Sequence, residues 1–269
     1  MVVPDLGDYL PQIRHRSANQ GFLDEGIYGV RGEEVLRREV VSAAALREGV
    51  GLQAGRRLVL ILFGDDVALE RWWDDRERLI PAIARAGYDL VVPPSYSAYV
   101  PRPRPDFMYS AKRSLWFYAA LQQVGVPAIP RVVWLREHDA RRIAAWLNAN
   151  PVVEWVAIDW MTLKNGIPRS DLEGLALVDE LTGHRLRYLV NGPASPGPCL
   201  DVCLAVSPDR VCITNGTFGP PPSENIRRLG PLTPAARGSE FRRVAAERRT
   251  IVEQAKAEAR ATRGLAEAA

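Results

Sequence analysis

Six short apolar runs punctuate the chain: 57–63 (RLVLILF), 88–92 (YDLVV), 126–134 (VPAIPRVVW), 152–159 (VVEWVAID), 186–190 (LRYLV) and 210–214 (RVCIT). They are rich in β-branched residues and lack a clean apolar–polar alternation. That is the pattern of strands covered on both faces of a parallel sheet. Between them lie amphipathic stretches of helical period: 67–86 stopped by Gly87, 107–124 stopped by Gly125, one ending near Leu147, and 170–182 stopped by Gly183. A short helix is predicted over 199–206. Pro81 predicts a helix in two pieces, Asp106 a cap for the helix over 107–124, and Ser170 with Glu173 a capping box.

The runs recur at roughly the spacing of a βα unit. Each ends in a polar or turn-forming group: GDD, PPS, WLRE, DWMT, NGP, NGT. Repetition of that rule predicts an α/β fold of (β/α) barrel type, an incomplete or distorted TIM-type barrel, rather than a doubly wound sheet. The stretch 131–164 is the clearest single unit of strand, helix and strand. Residues 51–220 are assigned to the barrel and 1–50 to an N-terminal extension of unsettled strand content. Residues 221–269 are assigned to a linker followed by a basic helix whose thin apolar stripe predicts a separable element. The loop over 93–105 holds five prolines in thirteen residues, longer than an ordinary connection.

Composition narrows the function classes. Of 269 residues, 47% are hydrophobic and 25% charged, an ordinary globular balance. Three cysteines, Cys199, Cys203 and Cys212, give no disulfide framework and fit a reducing cytoplasm. No apolar run approaches the roughly 20 residues needed to span a bilayer, and no signal-peptide pattern opens the chain, so no membrane partner is expected. Net charge is +3, but about nine arginines and one lysine stand against five glutamates from Arg227 onward. Any nucleic-acid partner is therefore expected at the basic tail and not at the body. No glycine fingerprint of the dinucleotide or Walker type follows a strand, and no cofactor is specified. Only three lysines occur against 32 arginines, which singles out Lys112 and Lys164.

Candidate chemistry gathers at the strand ends. Asp65, Asp66, Tyr96, Asp159, Lys164, Asn191 and Asn215 would ring one mouth of a barrel. Carboxylates beside a lysine suit general acid–base work, or one divalent cation held by oxygen ligands. Against this, Asp66 reads equally as a helix cap, and Asn191-Gly192 and Asn215-Gly216 as turns. Asp159 follows a buried strand directly, with no helix start near it. Tyr109, Lys112 and Arg113 share one face near a helix N-terminus, where an anion is favoured. Trp134 and Trp160, at strand ends, would wall a pocket. The cysteine and histidine spacing does not make a zinc site, and no residue is assigned to a metal.

The strings RSLWFYAALQQVGVPAIPRVVW, WVAIDWMTLKN and CITNGTFG together resemble an uncharacterised group of bacterial, phage and plasmid proteins, the domain of unknown function 4417 family. The resemblance covers about residues 58–218. It rests on a strand ending near Asp65-Asp66, a Pro-Ser-Tyr-Ser loop, an arginine-bearing helix and an "IP-x-V-x-W" strand. The family's loop more often reads Pro-Asp-Phe-Ser, so the acid of that motif is missing here. The resemblance implies a phage or mobile-element setting and no established chemistry.

Two functions follow as expectations. One is a barrel enzyme acting on an anionic, nucleotide- or sugar-like ligand. In it Asp159 is general base or nucleophile, Lys164 and Arg113 stabilise negative charge, and Asp65 and Asp66 assist. The other is a non-catalytic nucleic-acid- or protein-binding protein of a mobile element. The first requires Asp159, Asp65 and Arg113 to face one cavity.

Overall fold

Pro127 and Pro130 decide how the barrel closes. The computed structural model describes residues 3–13, 26–36, 39–96, 103–161, 166–215 and 234–268. It contains β1 Tyr9–Ile13, β2 Ile27–Arg31, β3 Arg57–Ile61, β4 Leu90–Val92, β5 Trp155–Asp159, β6 Arg187–Asn191 and β7 Val211–Asn215. All pairings are parallel, in the order β4-β3-β2-β1-β7-β6-β5. The run 126–134 lies between the open edges. It bridges β4 at Val91–Ala128 and β5 at Arg131–Ala157, both in parallel. Its two prolines have no N–H to give, so it makes bridges and not a strand. The Pro127 and Pro130 carbonyls still accept from Val91 and Ala157, each at 2.8 Å, and residues 128–131 act as the eighth stave of a closed (β/α) barrel.

The alternation hidden in the apolar runs becomes visible once the ring closes. One parity points inward: Leu10, Val59, Ile61, Leu90, Val92, Ile129, Trp155, Ala157, Leu189 and Cys212 form the barrel interior. The other parity meets the helices. Tyr28, Val30, Leu58, Leu60 and Val91 do so on one side of the ring, and Val156, Ile158, Tyr188, Val190 and Ile213 on the other.

The helices are α1 Gly32–Val35, α2 Ala43–Val50, α3 Asp66–Asp74, α4 Arg76–Ala86, α5 Arg104–Gln123, α6 Glu137–Ala149, α7 Arg169–Leu181, α8 Pro196–Ala205 and α9 Pro234–Ala268. Several local expectations shift. The break between α3 and α4 falls at Asp75, and Pro81 is carried inside α4. α5 begins at Arg104, so Asp106 sits in its first turn and Pro103 takes the cap position. α7 starts on Pro168 without a side-chain cap, and Glu173 pairs with exposed Arg169 at 2.8 Å instead.

The two terminal assignments need correcting. The first 50 residues are not an extension, because β1 and β2 are interior members of the sheet. The C-terminal helix packs into the body rather than standing apart from it. Phe241 and Ala245 belong to one outer core and Val252 and Ala255 to the other, so α9 ties the two halves of the ring. Lys256 on α9 is 1% exposed. Its Nζ donates to Asp8 Oδ1 at 2.5 Å and to the Val211 carbonyl at 2.6 Å, at the N-terminal ends of β1 and β7. Short alanines make the stripe look thin in sequence, yet they allow close approach to α8. No helix among the described residues is long and apolar enough to cross a membrane.

Candidate functional site

A polar layer caps the apolar interior at the C-terminal ends of the strands, the end where barrel chemistry is built. Strand parity places it. Gln12 lies two residues beyond Leu10, Arg31 two beyond Gly29, Arg131 two beyond Ile129, and Asp159 two beyond Ala157. Asn191 and Thr214 follow Leu189 and Cys212 in the same way.

These side chains are joined. Arg31 Nε donates to Gln12 Oε1 at 3.2 Å. Gln12 Nε2 donates to Asn191 Oδ1 and to Thr214 Oγ1, each at 3.0 Å. Asn191 Nδ2 reaches Asp159 Oδ1 at 3.3 Å, and the Met161 N–H donates to the same oxygen at 3.1 Å. Asp159 is therefore oriented through Oδ1, while Oδ2 makes no hydrogen bond among the described residues. Arg31 also lies 3.6 Å from Glu33 and 5.4 Å from the centre of the Phe63 ring.

Arg131 is the exception in this layer. It is 6% exposed, and its Nε and Nη1 have no hydrogen-bond partner among the described residues. Burial pulls its pKa down and the charge of Asp159 pulls it up, but a guanidinium remains a cation throughout the physiological range. It lines a crevice with Ile61, Phe63, Asp159, Asn191 and Thr214 whose free volume is about 10 Å³, room for one water-sized atom. A buried cation with idle donors costs folding free energy and is not explained by packing.

The residues singled out from sequence part company. Asp159 and Asn191 meet at the mouth. Asp65 caps α3, its Oδ1 accepting the Ala68 N–H at 2.7 Å, and Asp66 is the exposed first residue of that helix. Neither lines the Arg131 crevice, and neither does Arg113. Arg113 is buried between α3 and α5, bonded to Glu70 at 2.6 Å and stacked 3.9 Å from the Tyr96 ring centre and 4.7 Å from that of Tyr109. Tyr96 is buried there, and burial pushes its phenol pKa upward. This cluster belongs to the helix layer, so the expected meeting of Asp159, Asp65 and Arg113 does not occur. Lys112 is exposed on α5, and Lys164 lies outside the described residues.

Trp134 is not a pocket wall. It is buried under α7, its Nε1 donating to the Asp171 carbonyl at 3.1 Å, and Gly174 leaves it room: a Cβ there would fall 2.2 Å from Nε1. Trp160 packs in the outer core likewise. Asn215 has outward parity. It accepts from Tyr9 Oη at 3.1 Å and donates to the Pro193 carbonyl at 2.8 Å. No group of three metal-ligating side chains occurs among the described residues.

Sequence reasoning missed Gln12, Arg31, Arg131 and Thr214. Arg131 did leave a signal, an arginine inside the apolar run PAIPRVVW at the parity of Ile129.

No family model matches the chain, and no curated protein matches it. Among solved structures, a protein from Coccidioides immitis described as a fructose-1,6-biphosphate aldolase is 13% identical, with a TM-score of 0.47 over 91% of this chain and 87% of that one. A likeness of that size says nothing of chemistry.

Proposed function

We propose that the chain is a barrel enzyme acting on a small anionic ligand, of nucleotide or sugar type, at the C-terminal mouth. The observation that carries this is Arg131: a buried guanidinium whose Nε and Nη1 lack partners beside an oriented carboxylate. One oxygen of a ligand phosphate or carboxylate standing over the crevice, which has room for a single water-sized atom, supplies an acceptor to Arg131, with charge-assisted bonds about twice as strong as neutral ones. Asp159 acts as general base through Oδ2, since Oδ1 is held by Asn191 and the Met161 N–H. Arg31 adds a second cation at the rim, and Lys164, which follows β5 closely in sequence, stabilises developing negative charge. The setting belongs to the proposal too: a phage or mobile-element protein, as the resemblance implies.

The alternative, a tail that binds nucleic acid, is the less favoured reading, because four of its cations are engaged with the body. Arg248 bonds the Ala194 carbonyl, Arg260 bonds Asp209 at 2.6 Å, Arg263 bonds the Leu204 carbonyl at 2.9 Å, and Lys256 is buried. These cations fasten α9 to the body and do not form a free basic face.

The test uses inorganic phosphate, ribose 5-phosphate and nucleoside monophosphates at fixed ionic strength. A saturable rise in melting temperature is expected, as for any ligand selective for the folded state. Asp159→Asn should keep that rise and lose turnover of whichever phosphorylated compound the native chain converts. Absence of any saturable anion effect would sink the reading.

A further inference from the structure

The eighth stave separates two spaces. Inside it is the mouth; outside it, α5 and α6 stand apart and leave a cleft of about 250 Å³. Its apolar lining is Phe107, Met108 and Leu115 from α5, Ile143 and Trp146 from α6 and Val132 from the stave, and Arg131 borders it from the stave as it does the mouth. Two cations stand at its rim, Lys112 on α5 and Arg142 on α6. Both are exposed, and neither is paired with an acid among the described residues. The acid in the lining, Asp139, is already held by Arg104 at 2.7 Å. The cleft thus presents an apolar floor beneath an unneutralised positive rim. It also gives a place to Lys112, one of three lysines in an arginine-rich chain, which the mouth does not use.

We propose that this cleft is a second binding site, for a small amphipathic anion with an apolar body and one carboxylate-type head. The apolar body leaves water against the aromatic and aliphatic walls, and the head meets Lys112 and Arg142 from opposite rims. The volume lies below the range of about 300–1,000 Å³ that suits drug-sized molecules, so the body is a short acyl chain or a single ring system. A polar sugar phosphate does not fit such walls, so the ligand class differs from that of the mouth.

The test compares sodium octanoate with 1-octanol by isothermal titration on the full chain. Saturable binding of octanoate at one site is expected, with octanol weaker. The variant Lys112→Gln/Arg142→Gln changes two exposed side chains and leaves the fold intact. It should weaken octanoate by about tenfold while leaving octanol unchanged. Ala111→Phe should fill the cleft and abolish both. The proposal is overturned if octanoate does not saturate, if octanoate and octanol bind alike, or if the double variant binds octanoate as tightly as the native chain. It is also overturned if an acidic amphipathic peptide, but not octanoate, competes for the Lys112 and Arg142 rim.

Discussion

Replacing Arg131 by methionine separates a site residue from a structural one by the sign of a stability change. Methionine keeps the unbranched stem of the side chain among Ile61, Phe63 and Leu189, stops short of the guanidinium position and removes the charge. Two buried nitrogens, Nε and Nη1, lack partners. Each unsatisfied buried group costs about 1–3 kcal/mol. The change gives up the attraction between Arg131 and Asp159, which offsets part of that gain. Exchanges of buried ionic groups for apolar ones of like volume commonly stabilise by about 1–4 kcal/mol, and the same range is expected here. At about 2–4 °C per kcal/mol for a chain of this size, the melting temperature should rise by several degrees. Urea unfolding should show a higher midpoint at unchanged slope. In the same samples the phosphate-dependent stabilisation should vanish. A loss of more than about 1 kcal/mol, or an undiminished phosphate effect, would show that the guanidinium serves the fold and refute the reasoning.

Two further outcomes follow from the packing. Ending the chain at residue 233 removes Phe241, Ala245, Val252, Ala255 and Lys256 from contacts with both outer cores, so no cooperative heat-absorption peak should remain; a surviving sharp peak would return α9 to the status of an appendage. Asp179 is 3% exposed: burial raises its pKa, but bonds from Arg210, from His184 at 2.7 Å and from Tyr188 at 2.9 Å outweigh burial and hold it below its ordinary value. A depressed folded pKa contributes stability above the unfolded value of about 3.9, lost as pH falls through the folded one. Asp179→Asn should therefore cost about 3–5 kcal/mol at pH 7, with a smaller penalty near pH 3 by urea titration, and a pH-independent penalty would contradict this.

β3 and β5 are the strands most legible in the sequence, because their interior faces are largely apolar. β3 and β5 carry Val59, Ile61, Trp155 and Ala157 inward, so both faces read as hydrophobic. β1 and β2 turn Gln12, Gly29 and Arg31 inward, and the polar layer that makes them interesting erased the apolar signature used to find strands. Asp159 was legible because it ends a complete apolar run. Arg131 was not, because it sits inside the run 126–134, which reads as a plain buried strand. Asp65 and Trp134 were misread for a common reason. Position after a strand does not say whether a side chain turns to the mouth, caps a helix or goes under one, and only the parity set by the closed ring decides that.

The proline-interrupted stave also has a consequence in time. Neighbouring strands are joined by regular ladders, whereas 128–131 is tied to the ring at two bridges. Opening there breaks four backbone hydrogen bonds and uncovers Ile129 and Val132, a smaller loss than global unfolding, so it is expected as a local fluctuation below it in free energy. With Pro127 and Pro130 lacking amide hydrogens, deuterium uptake at Ile129 and Val132, whose N–H groups bond the Val91 and Ala157 carbonyls, reports on that opening. The residue that holds an anion in the proposed site stands on the stave tied to each neighbour by a single bridge. Occupancy of the mouth would then slow exchange at two amides and leave the rest of the barrel as it was.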